Sequence, residues 1–96
     1  MLARVTTFEG GTADGIRAGG EELNANVAAG PPPGVKSSGF TMLIDPEGGR
    51  VMMIGLFANE DDLNESEVAL KAMNPPEGIG SMASRDVYDV AVEVRM

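Results

Sequence analysis

Six positions of this sequence hold residues whose types and placement fit one shared ligand pocket. Arg4 lies in the middle of a predicted strand, where a charged side chain needs a partner. Tyr88 is the only tyrosine, and Asn59 offers an amide donor for a pocket mouth. We therefore predict a ligand site in which Arg4, Thr6, Phe57 and Tyr88 converge on the sheet, with Asn59 at its mouth and Gly20 leaving room on the neighbouring helix.

Several of these residues also have a purely structural interpretation. Tyr88 then packs as an amphipathic core residue with its hydroxyl at the edge, and Phe57 is simply core. Asn59 is then the N-cap of a helix. Gly20 shares a predicted helix face with Ile16 and either leaves room there for a ligand or is a tolerated imperfection.

Charged residues add two further alternatives. Arg4 has the structural option of an ion pair with Glu93 or Asp89 on the last strand. Acidic residues crowd the start of the second predicted helix, where negative charge suits the helix dipole and a weak Mg²⁺ or Ca²⁺ site is the alternative. They are Glu60, Asp61, Asp62, Glu65 and Glu67. We favour the structural role and predict no metal site.

The composition excludes several classes of chemistry. The chain has neither histidine nor cysteine, which removes Ser-His-Asp and Cys-His triads, HExxH zinc sites and the usual haem ligands. Its glycines lack the spacing of a dinucleotide-binding loop or a P-loop. We predict no cofactor. The net charge of −8 argues against nucleic acid and an anionic membrane as partners.

The same sequence gives an expectation for localisation. Its first residues enter a strand pattern without a basic segment followed by an apolar run, so no signal peptide is predicted. No apolar run approaches the ~20 residues of a membrane span. A cytoplasmic protein is therefore expected.

Apolar spacing and turn residues predict six elements in the order β-α-β-β-α-β. Strands are predicted at residues 2–8, 35–44, 50–57 and 84–95, and helices at residues 13–29 and from Asn59 to about residue 73. Thr12 and Asn59 are the expected N-caps. The turn at residues 45–49 makes the second and third strands a hairpin. In this order the first and third strands are central neighbours, and the fourth lies beside the first.

These elements predict one α+β domain covering residues 1–96. A domain of 96 residues buries only about two-thirds of the surface of its unfolded chain. Without cysteine, no disulfide adds stability. We therefore expect a homodimer, in which a second copy supplies further buried area.

Three stretches carry a family resemblance: residues 3–10, the hairpin entered at residues 33–35 that ends in residues 56–63, and residues 86–90. They are similar to the dimeric α+β barrel superfamily, in particular the antibiotic biosynthesis monooxygenase-like proteins. Phe57 stands where a tryptophan often stands in that family. The resemblance implies a ferredoxin-like monomer with a four-stranded antiparallel sheet. Two such sheets pack into a barrel, with a cavity between each sheet and its helices.

Three hypotheses for function follow. The first, which we favour because no group of residues demands catalysis, is a homodimer that binds a small apolar or aromatic ligand. The second is a cofactor-independent monooxygenase acting on an aromatic or polyketide-like phenol or quinol. For it, the resemblance implies that Asn59, Tyr88 and Arg4 approximate the amide, aromatic ring and arginine that hold a phenolate. The third is an interaction domain with a filled core.

Overall fold

The computed structural model describes residues 1–27, 30, 33–72 and 78–94. Six elements follow the predicted order: β1 (Leu2–Gly10), α1 (Ala13–Val27), β2 (Gly39–Asp45), β3 (Arg50–Phe57), α2 (Glu60–Ala72) and β4 (Gly80–Asp89). The strands form one antiparallel sheet in the order β2-β3-β1-β4. The predicted α+β, ferredoxin-like arrangement is confirmed, including the central position of β1 and β3. No helix within the described ranges is long and apolar enough to cross a membrane.

Two predicted strand boundaries are wrong, for different physical reasons. β2 begins at Gly39 rather than at residue 35, because Val35 is buried against Phe57 and Leu63 before the strand starts. β4 covers Gly80–Asp89 rather than residues 84–95. Its partner β1 begins at Leu2, which pairs with Asp89, so no strand is left for the later valines to pair with. Predicted helix residues 28, 29 and 73 and strand residue 95 lie outside the described residues.

Both predicted helix caps are confirmed. The Thr12 hydroxyl Oγ1 accepts a hydrogen bond of 3.1 Å from the N–H of Gly15. Asn59 Oδ1 accepts one of 2.8 Å from the N–H of Asp62. Each bond satisfies a backbone donor that has no partner inside its own helix.

Replacing Asn59 by alanine removes the hydrogen bond from the Asp62 N–H to the Asn59 side chain. We expect the free energy of unfolding to fall by about 1 kcal/mol. In a domain of this size that lowers the melting temperature by about 4–8 °C. Urea and thermal unfolding measure the change. Asn59→Asp keeps an N-cap acceptor and is the matched control. A loss of the same size in Asn59→Asp would contradict the capping role.

A specific turn fixes the register of the β2–β3 hairpin. Asp45 Oδ1 accepts from the Gly48 N–H at 3.1 Å, and Arg50 Nη2 donates to Asp45 Oδ2 at 2.6 Å. The Arg50 guanidinium, and then the Gly48 N–H, hold the pKa of Asp45 below its ordinary value. A Cβ on Gly48 would displace the Asp45 carboxylate from this position, so a larger residue there would disturb both hydrogen bonds.

The core on the helix-covered face of the sheet is divided in two. One cluster contains Phe8, Ile16, Val51 and Ile79, with Met42 and Met53 packed against it. The other contains Val35, Phe57 and Leu63, with Leu2, Ala69 and Leu70 packed against it. Because alternate residues of a strand face the same side, β1 runs from Leu2 in one cluster to Phe8 in the other. The residues between them on this face are Arg4 and Thr6.

Candidate ligand-binding site

Arg4 and Thr6 form a polar pair where an uninterrupted core would be apolar. Arg4 Nη1 donates to Thr6 Oγ1 at 3.2 Å. Thr6 is only 3% exposed, and the Arg4 side chain is 13% exposed. These two of the six candidate residues are therefore brought together as predicted, at the boundary between the two apolar clusters.

Glu67 on α2 completes the pair. Arg4 Nε donates to Glu67 Oε1 at 2.7 Å, and the Glu67 side chain is 21% exposed. The structural alternative for Arg4 is therefore correct in kind, an ion pair, but wrong in its partner, which is Glu67 and neither Glu93 nor Asp89. Arg4 faces the helices, and Glu67 lies on the face of α2 that packs toward the sheet.

Two more cations approach the same carboxylate. Arg85 Nη1 lies 3.8 Å from Glu67 Oε2, and Lys71 Nζ lies 4.0 Å from it. Three of the seven basic residues of the chain thus surround one acid. Three positive charges and one negative charge leave a local charge of +2, in a chain whose net charge is −8.

The β4 edge leaves this group open to solvent. Thr6 pairs with Arg85 and Arg4 pairs with Val87, and residues directly opposite each other in a ladder share a face. Every residue of β4 is exposed, Val87 to 48%. The surface between α2, with Glu67 and Lys71, and the exposed strand β4, with Arg85, is therefore open to solvent. We call it the α2–β4 groove.

Phe57 lies next to this groove but is a core residue. Its exposure is 1%, and it packs with Val35 and Leu63. Gly55, which pairs with Arg4 on the central strand, gives the ring its space. A Cβ on Gly55 would lie 3.3 Å from Phe57 Cε2. The Phe57 ring thus fills the volume over Gly55, beside Arg4, and is part of the apolar cluster at that end of the polar group.

The remaining candidates lie elsewhere. Tyr88 pairs with Ala3 and is 56% exposed, on the opposite face of the sheet from Arg4, because side chains alternate along β1. Asn59 is an exposed cap. Gly20 is half-buried on α1, and a Cβ there would meet open space. The expectation that Tyr88 converges with Arg4, Thr6 and Phe57 is therefore wrong.

Sequence reasoning missed Glu67, Lys71 and Arg85 as members of the polar group. A signal for Glu67 was present, since it follows Leu63 by four positions and so shares the buried face of the helix. The position of Arg85 opposite Thr6 depends on the β1–β4 register. No spacing rule within the sequence reveals which residues of two distant strands pair.

Among the other acids of α2, Glu65 has a structural role. The Lys36 ammonium pairs with Glu65, which raises the pKa of Lys36. The N–H of Lys36 also donates to the buried Ser66 hydroxyl at 2.7 Å. In the ranges that the structure covers, no group of three or more acidic residues has a metal-binding arrangement.

A second concave space lies at the end of the sheet where β1 begins. It has a volume of about 520 Å³ and is lined by Met1, Ser38, Gly39, Phe40, Thr41, Leu56 and Glu93. None of the six candidate residues lines it, and it is separate from the α2–β4 groove.

Three comparisons with known proteins give no further identification. No protein-family model, curated protein or solved structure matches this chain.

Proposed function

We propose that this protein is a homodimer of the dimeric α+β barrel type that binds a small molecule in the α2–β4 groove of each copy. The observation that carries the proposal is the half-buried polar group of Arg4, Thr6, Glu67 and Arg85 between two apolar clusters. Stability alone does not require it, because apolar residues in place of a buried ion pair are often neutral or stabilising. A few polar groups beside apolar walls are typical of ligand sites.

The dimer part of the proposal rests on the face of the sheet that the helices leave uncovered. Seven of its side chains are apolar: Ala3, Val5, Leu43, Met52, Ile54, Leu56 and Tyr88. Thr7, Thr41 and Ser84 on the same face are polar but uncharged. Four strands about 4.8 Å apart and about 27 Å long present roughly 500 Å². Two copies together bury about 1,000 Å², the lower limit of a specific interface.

A second copy of this chain is the occupant that fits this face. The charged side chains on it, Glu9, Asp45, Arg50 and Asp86, lie at the strand ends or on the edge strand. An uncharged centre lets two chains of net charge −8 approach without like charges meeting there. A two-fold axis places the same apolar patch on both sides, which makes the contact self-complementary.

Binding without catalysis is favoured over the monooxygenase alternative. The three residues that would hold a phenolate in a monooxygenase lie on three separate surfaces of one copy. Arg4 is on the helix-covered face, Tyr88 is on the uncovered face and Asn59 is at the start of α2.

A thermal-shift screen tests ligand binding. We expect at least one member of a panel of polycyclic phenols, quinones and aromatic carboxylates to raise the melting temperature of the wild-type protein. At ten times its dissociation constant a ligand adds about 1.4 kcal/mol, which is about 5–10 °C in a domain of this size. If no compound raises the melting temperature, the binding proposal is wrong.

Two variants locate the ligand. Val87→Trp fills the α2–β4 groove on a strand position that tolerates an aromatic residue, and we expect it to abolish the shift. Gly20→Leu fills the open space beside α1, which packs against β2 at the opposite edge of the sheet. We expect that variant to keep the shift. The reverse pattern would place the ligand beside α1.

A further inference from the structure

We infer that the ligand of the α2–β4 groove carries an anionic group, such as a carboxylate, that binds between Arg4 and Arg85. This inference rests on the proposed ligand groove and names the chemistry that the groove selects. It starts from the local charge of +2 around Glu67 in an acidic chain.

The groove contains more positive charges than are needed to neutralise Glu67. Arg4 alone, in direct hydrogen-bond contact, neutralises the Glu67 carboxylate. Arg85 and Lys71 lie 3.8 Å and 4.0 Å from it, which is too far for a hydrogen bond. Such partly exposed pairs add about 0–1 kcal/mol to stability. Two positive charges therefore remain for a second anion.

The guanidinium groups of Arg4 and Arg85 also have N–H donors that could bind an anion. An arginine has five N–H donors. Arg4 uses Nε for Glu67 and Nη1 for Thr6, and no described residue accepts a hydrogen bond from its Nη2. Thr6 and Arg85 are directly opposite in the ladder, so the Arg85 guanidinium lies on the same side. A carboxylate has the planar, two-oxygen geometry that such groups bind best.

Side chains of β4 in the groove add a second requirement on the ligand, namely an apolar part beside its anionic group. Met82 and Val87 flank Arg85 on the helix-covered face of β4 and are 54% and 48% exposed. Asp89 lies beyond Val87 on the same face and repels an anion at that end. The groove therefore suits an organic anion whose charged group lies at Arg85 and whose apolar body covers Val87 or Met82.

Titration of the full chain with sodium benzoate, followed in ¹H–¹⁵N spectra at constant ionic strength, tests the inference. We expect benzoate to shift the Nε–H signals of Arg4 and Arg85 and the backbone signals of residues 85–87. Benzamide, the neutral analogue of the same shape, should leave them unchanged. Arg85→Gln should weaken benzoate binding about tenfold, the effect of losing one charge-assisted hydrogen bond.

Arg17→Gln is the matched control, because Arg17 is an exposed cation on α1 and its replacement should leave benzoate binding unchanged. Unchanged signal dispersion shows that each variant is folded. Equal binding of benzamide, or benzoate binding that Arg85→Gln does not weaken, overturns the inference. If neutral phenols bind in the groove and benzoate does not, the inference fails alone. If no compound binds, the proposed function fails with it.

Discussion

Replacing Ile54 by lysine is expected to convert the homodimer into a monomer. Ile54 is at the centre of the uncovered sheet face, between Val5 of β1 and Thr41 of β2. A two-fold interface contains every substitution twice, so two ammonium groups enter an apolar contact without partners. The cost of burying unpaired charge is several kcal/mol. We expect the dissociation constant of the dimer to rise at least about a thousandfold, or about 4 kcal/mol.

Light scattering and sedimentation over a range of micromolar concentrations measure this change. Val68→Lys is the matched control, because Val68 is 78% exposed on α2 and α2 packs on the other face of the sheet. We expect that variant to stay dimeric. Circular dichroism checks that Ile54→Lys is folded. A monomeric wild-type protein, or a dimeric Ile54→Lys, would show that the uncovered face is not the interface.

The fold could be predicted because it depends on local signals. The spacing of apolar residues, the caps Thr12 and Asn59 and the turn at residues 45–49 each specify a few neighbouring residues. Antiparallel pairing then follows from the order of the elements. The end of β4 could not be predicted in this way. The valines that follow it alternate as in a strand, but where β4 stops is set by where β1 begins.

The candidate site was only partly predictable, because its residues come from elements that are distant in the sequence. Arg4 and Thr6 were identified because they lie on one strand, where a charged side chain such as that of Arg4 needs a partner. Tyr88 was assigned to the wrong face because its side depends on the β1–β4 register. Glu67 was recognised as part of an acidic helix, but its partner depends on how α2 packs across β1.

The second prediction concerns the stability of the protein. Replacing Glu67, the acid of the polar group around Arg4, by leucine should lower the free energy of unfolding by about 2 kcal/mol. The change leaves the Arg4 guanidinium, with a side chain only 13% exposed, without its counter-ion and close to two other cations. Removing one partner of a fully buried ion pair costs about 3–5 kcal/mol. We expect less here because the Glu67 side chain is 21% exposed. The melting temperature should fall by about 8–16 °C.

Two variants separate the loss of the ion pair from the effect of the substitution itself. Glu47→Leu removes the pair with Arg17, in which the acid is 82% exposed, and should change stability by less than about 0.5 kcal/mol. The double variant Arg4→Leu with Glu67→Leu should recover much of the lost stability, because two apolar residues replace the ion pair. If the double variant is less stable than Glu67→Leu, then Arg4 stabilises the fold through contacts other than this pair. Full recovery with loss of benzoate binding would mean that the charges are kept for the ligand rather than for the fold.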